Sequence, residues 1–181
     1  VPHLTEEWKR NALANTPPYL RESVSLGIPT RGAGAVYPVD EAKLVIDPIK
    51  IPDHFYRVYG FDGGYHNTAV AFLAWDREND IVYLTAEYKA GEVDISVHAG
   101  RLKMRLQAMK QVSMPGVGDY SGSDVSTGAK ILDLYKAQGL RIQPANKVGR
   151  DTGIQNIYER METGRFKVFK TCTMFLQELR T

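Results

Sequence analysis

An α/β fold is what this sequence predicts: a mixed sheet opening with a three-stranded antiparallel meander, followed by parallel strands with helices on both faces. Three observations carry that expectation. Strand-like runs between Tyr56 and Tyr88 are joined by short polar turns, which implies an antiparallel meander. Near Asp94 the apolar spacing changes from two to three or four. From there strand-like and helix-like segments alternate to the C-terminus. With 181 residues, 43% of them hydrophobic and 24% charged, the chain can bury a core and is neither disordered nor low-complexity. No apolar run approaches about 18 residues, so no membrane helix is expected. The one cysteine, Cys172, has no internal partner, which fits a reducing cytosol. Val1 in place of a start methionine suggests a piece of a longer protein.

Residues 1–50 differ in character from the rest. Thr5 before Glu6 and Glu7 reads as a helix N-cap, Pro17-Pro18 stops that helix, and a second short one reaches Leu26. The run Arg31-Gly32-Ala33-Gly34-Ala35 is flexible, and Lys43 to Ile51 is extended, punctuated by Pro48 and Pro52. These residues are expected to form an arm or linker, with the core beginning at 51.

Tyr56 to Phe61 is a strand rich in aromatic and β-branched residues, closed by Asp62-Gly63-Gly64. Asn67 to Trp75 is apolar on both faces, as a central strand should be. The polar turn Asp76 to Asp80 leads into a third strand, Ile81 to Tyr88. Ile95, His98, Leu102, Leu106 and Met109 form the stripe of an amphipathic helix. Gly116 to Tyr120 is a short strand, and Thr127 to Gln138 a helix closed by Gly139. Arg141 to Pro144 is a strand, Thr152 to Thr163 a helix, Arg165 to Phe169 a strand, and a helix starts at Thr173.

This order places acids at strand ends. A strand that follows a helix returns parallel to the first, so Asp62 and Asp119 would emerge at one sheet edge, about 5 Å apart. Two carboxylates that close need a compensating cation to stay ionised. An oxygen-rich set without a Cys/His cluster selects Mg²⁺ or Mn²⁺. Two such ions about 3.5–4 Å apart would serve phosphodiester cleavage. Gly63 and Gly64 would leave room above Asp62 for a phosphate backbone. Each residue has a plainer reading as well. Asp62 before two glycines can be a hairpin turn, Asp119 the start of a loop, and Asp124 competes with it. Glu87, roughly 10 Å from the first strand, can be an ordinary surface acid. His66 can decorate a loop or assist proton transfer, and His98 reads as packed.

Charge is unevenly spread along the chain. Residues 40–94 carry 11 acids and 5 bases, whereas residues 136–170 carry 8 bases and 3 acids. Between Ile95 and Gly118 lie Arg101, Lys103, Arg105 and Lys110 with no acid. A cation site facing a polyanion would show this pattern, and so would solvated helix faces. Arg101, Lys147 and Arg150 are the candidate phosphate contacts.

Several stretches, taken in order, resemble one family. They are Val58-Tyr59-Gly60-Phe61-Asp62-Gly63-Gly64, Leu84-Thr85-Ala86-Glu87-Tyr88, Ser96-Val97-His98-Ala99, Gly118-Asp119, Ile131-Leu132-Asp133-Leu134-Tyr135 and Gly164-Arg165-Phe166-Lys167-Val168-Phe169. Together they resemble the nuclease domain of the large terminase subunit of tailed bacteriophages, within the ribonuclease H-like, integrase-type superfamily. The resemblance implies a linker or arm over 1–50 that leaves an ATPase motor, and a nuclease domain over 51–181 that lacks its last elements. It implies that Asp62 bridges two Mg²⁺ or Mn²⁺ ions, that Asp119 is the second ligand, and that a third aspartate lies beyond Thr181. Glu87, His66 and Asp124 would be accessory. Concatemeric double-stranded DNA would be the substrate, the terminase small subunit and the portal the partners, and the infected host's cytoplasm the location. No Walker-type Gly-rich loop occurs. Two other readings remain at this point: an actin-like ATPase fragment, whose phosphate hairpin resembles Phe61 to Ala71, and a non-catalytic DNA-binding or portal-docking module.

Overall fold

The computed structural model describes residues 37, 39–64, 67–119, 130–146 and 149–180. Its elements are α1 (Glu41–Leu44), β1 (Val45–Ile46), β2 (Tyr56–Asp62), β3 (Thr68–Asp76), β4 (Ile81–Ala90) and α2 (Ile95–Ala108). There follow β5 (Gly116–Gly118), α3 (Ile131–Ala137), β6 (Ile142–Pro144), α4 (Arg150–Glu162), β7 (Phe166–Phe169) and α5 (Thr173–Leu179). The strands form one sheet in the order β1-β7-β4-β3-β2-β5-β6. β3 pairs antiparallel with both neighbours, giving the predicted meander, and every other pairing is parallel.

Helices cover both faces of the sheet. On one side Ala99, Leu102 and Leu106 of α2 and Leu132 and Tyr135 of α3 pack on Tyr59, Phe61, Val70, Phe72 and Tyr88. On the other, Leu44, Met161 and Leu176 pack on Leu84, Phe166 and Val168. One strand serves both cores because its alternation shifts. The β3–β4 register steps from Phe72↔Ala86 to Leu73↔Leu84, so Thr85 is extra, and its Oγ1 donates to the Phe72 carbonyl at 3.1 Å. This bulge puts Leu84 and Glu87 on one face, whereas strict alternation would oppose them.

The folded body begins earlier than the sequence suggests. Residues 40–46 are expected in the arm, but the Asp40 carboxylate caps α1, accepting from the Ala42 amide at 3.0 Å. Leu44 is fully buried, and Val45 and Ile46 pair with Val168 and Phe169. The physical reason is the outer edge of β7, whose unpaired backbone groups β1 covers. The expected extended run thus starts as a helical turn and a strand. Most other elements match within two residues. Residues 1–36 and the start of the helix expected from Thr127 lie outside the described residues.

Candidate metal centre

The centre is built by the β2–β5 ladder. Tyr59 pairs with Gly116, Gly60 with Val117 and Phe61 with Gly118; the next positions up are Asp62 and Asp119, both exposed. Parallel neighbours place such residues about 5 Å apart. Tyr59 and Phe61 point into the α2–α3 core, so alternation sends Asp62 to the opposite face. There a cleft of about 390 Å³ opens, lined by Asp62, Asp119, Glu87, Val117, Phe175 and Glu178 among others.

Close approach of β5 to β2 requires glycine at two positions. A Cβ on Gly116 would lie 2.2 Å from the Tyr59 ring, and one on Gly118 would lie 2.8 Å from the Phe61 carbonyl oxygen. Gly63 has a packing reason that the sequence does not show. Its missing Cβ would meet the Phe61 ring at 2.5 Å, so its smallness makes room for the core.

Glu87 lines the cleft but has a structural task. Its two carboxylate oxygens accept from the Met174 and Phe175 amides at 2.7 and 2.8 Å, capping the N-terminus of α5. An anion suits that position, where amides are unsatisfied and the helix dipole is positive. Glu178 on α5 also lines the cleft and pairs with Lys89 of β4. Sequence reasoning missed both. Lys89 follows Glu87 at strand spacing and could have been found; the docking of α5 has no local signal. The Lys89–Ala69–Asp62 pairs run as one row across the sheet.

His66, Asp124 and Lys147 lie outside the described residues. Arg150 opens α4, and its side chain is not described. Arg101 is exposed on α2, which packs against the face opposite the cleft, so the two are not brought together. His98 is packed as expected: it is 1% exposed, with Nδ1 2.7 Å from the Tyr88 hydroxyl.

Whether a divalent ion suits the centre rests on its donors. The lining acids offer only oxygen, which fits Mg²⁺ or Mn²⁺ better than Zn²⁺. No described residue bonds to the Asp62 carboxylate. Among the described residues no three His, Cys, Asp or Glu side chains are grouped to hold an ion. Among the described residues the pair supplies two carboxylates to the cleft, with Glu87 and Glu178 as its other lining acids.

No protein-family model matches the sequence. The chain is 31% identical to the large terminase subunit of Enterobacteria phage LP7, in an alignment of 185 residues that takes in 98% of this chain and 38% of that one. It thus spans a little over a third of that relative's length. The P22 large terminase nuclease domain superposes with a TM-score of 0.68 at 27% identity, covering 83% of this chain and 80% of that one. The large terminase nuclease of thermophilic phage G20c, solved with bound magnesium, is similar in fold, with a TM-score of 0.55 at 18% identity and coverage of 77% and 76%. The order of strands and these likenesses agree: the chain belongs to the large terminase subunits, in the part that folds as their ribonuclease H-like nuclease domain.

Proposed function

We propose that this chain is the endonuclease of a viral packaging terminase, cutting concatemeric double-stranded DNA at the start and end of head filling by two-metal-ion hydrolysis. The observation that carries this is the placement of Asp62 and Asp119 at adjacent ends of parallel strands, lining one cleft. Asp62, on the inner strand, and Asp119 beside it would hold the Mg²⁺ or Mn²⁺ ions. Bound there, the ions supply an ionisable water and neutralise charge on the leaving oxygen. The chain's own part is to fix both carboxylates on a rigid sheet edge. The G20c nuclease, similar in fold, has been solved with bound magnesium and with bound zinc, which is consistent with a divalent ion without selecting one.

DNA would enter over the C-terminal ends of β2, β5 and β6. The Ala145 amide donates to the Gly118 carbonyl at 2.8 Å, so the segment leaving β6 toward Lys147 and Arg150 starts beside Asp119. This supports Lys147 and Arg150 as backbone contacts more than Arg101. Such contacts carry little sequence information, so cutting should be nearly nonspecific and steeply salt-dependent. By the same reading the ATPase motor belongs to the full-length chain, the small subunit and portal are its partners, and the work is done in the host cytoplasm.

The test is nicking of supercoiled plasmid in Mn²⁺ by the full-length chain, which continues past Thr181 in this reading, and by its Asp62→Ala variant. The parent should nick and the variant should not. Equal nicking by the two refutes the assignment.

A further inference from the structure

The β2–β5 ladder ends at Phe61↔Gly118, one residue short of both acids, so ladder pairing alone does not fix their separation. A second tie lies beneath them. Thr68 is 0% exposed, and its Oγ1 donates to the Gly64 carbonyl at 3.1 Å, two residues past Asp62. The same Oγ1 lies 3.2 Å from the hydroxyl of Tyr135, itself 1% exposed. A threonine hydroxyl has one proton, and Gly64 takes it; the tyrosine must therefore donate the second bond. The relay runs Tyr135 O–H to Thr68 O–H to the Gly64 carbonyl. Burial raises the Tyr135 pKa above its ordinary 10.0, so the donor proton stays in place through the neutral range.

One end of this relay is the turn after Asp62; the other is α3, whose Leu132 Cδ1 lies 3.1 Å from where a Cβ on Gly118, the residue before Asp119, would stand. Gly64 lies in the turn that follows Asp62. Tyr135 lies on α3, the first described helix after Asp119, and its ring meets Phe61 edge-on at 4.6 Å between centroids. We infer that Thr68 and Tyr135 are positioning residues, a buried brace that holds the Asp62 turn against α3 and so sets the spacing of Asp62 and Asp119 where the ladder stops. This rests on the metal-centre reading above. It extends that reading to two residues that touch neither metal nor DNA.

The experiment is Mn²⁺ calorimetry and plasmid nicking with the full chain, with urea unfolding of each variant alongside. Tyr135→Phe keeps the ring and removes the donor; Thr68→Val removes the relay; Thr68→Ser keeps it. Tyr135→Phe and Thr68→Val should each weaken Mn²⁺ binding roughly three- to tenfold, the scale of one neutral hydrogen bond. Both should lower the turnover rate with the KM for DNA unchanged, and Thr68→Ser should behave as the parent. If Tyr135→Phe unfolds earlier in urea but binds Mn²⁺ and cuts like the parent, the bond is structural only and the brace is refuted. If the parent itself binds no Mn²⁺, the metal-centre reading fails first and the brace falls with it. Those two failures are told apart by the parent alone.

Discussion

Substituting Gly118 with alanine tests how the acidic pair is held. The new Cβ would stand 2.8 Å from the Phe61 carbonyl oxygen, 3.1 Å from Leu132 Cδ1 and 3.1 Å from Phe61 Cδ1. Leu132 and the Phe61 ring are side chains and can yield a little. The carbonyl cannot, because it belongs to the backbone of β2. Reaching ordinary contact means parting the strands by about half an ångström at their last pair, an overpacking strain of about 1–3 kcal/mol. That parting falls beside Asp62 and Asp119, so metal binding should weaken along with stability. Gly100, inside α2, is the control: a Cβ there has nothing within 4 Å, and alanine should stabilise the helix by about 0.5–1 kcal/mol. Urea unfolding measures both variants, and Mn²⁺ calorimetry is run on Gly118→Ala. If Gly118→Ala unfolds within about 0.5 kcal/mol of the parent and binds Mn²⁺ equally well, close strand approach is not what places the acids.

Two further outcomes follow from buried titratable groups. Burial, and after it the nearby Arg101, hold the pKa of His98 below its ordinary 6.5, with Tyr88 and Tyr135 packed around the ring. The unfolded chain therefore binds a proton that the folded one refuses, so stability present above pH 6.5 should fall as pH drops through 6.5 toward the folded value. His98→Leu should flatten that slope in a series of urea midpoints; an unchanged slope assigns it to other groups. Burial, with the Glu87 charge second, pushes the Cys172 thiol up to about 12. Ellman's reagent should label it slowly in the native protein and at once in urea, and fast native labelling would contradict its burial.

What the sequence made legible was local. Period-two runs and the change of spacing at Asp94 mark the meander and α2. The rule that a strand after a helix returns parallel puts Asp62 and Asp119 at one edge. What it hid depends on distant partners. Val45 and Ile46 become a strand only because β7 presents an open edge 123 residues later, counted from Val45 to Val168. Thr85 is a bulge only because Phe72 lies across from it, and without that bulge Glu87 would not share a face with Leu84. The capping of α5 by Glu87 spans 87 and 88 residues, and no propensity or spacing within β4 announces it. Gly63 was readable as small, but its packing against the Phe61 ring was not.

The charge asymmetry has the same lesson in a sharper form. An acidic first half and a basic second half suggest a cation site facing a polyanion, yet the fold joins much of one half to the other. Asp80 takes both Arg160 and Arg165, Lys170 pairs with Asp47, and Arg180 pairs with Glu41. Asp76 closes its own turn through the Glu78 and Asn79 amides, and Glu87 caps α5. Ion pairs at or near the surface add little net stability, so they record which segments meet more than they stabilise the meeting. Asp62 is different, since no described residue takes its carboxylate. Charge counting could not separate it from Asp76 or Asp80. Position does: two parallel strands, drawn close by glycines in β5, stop side by side with an acid on each end.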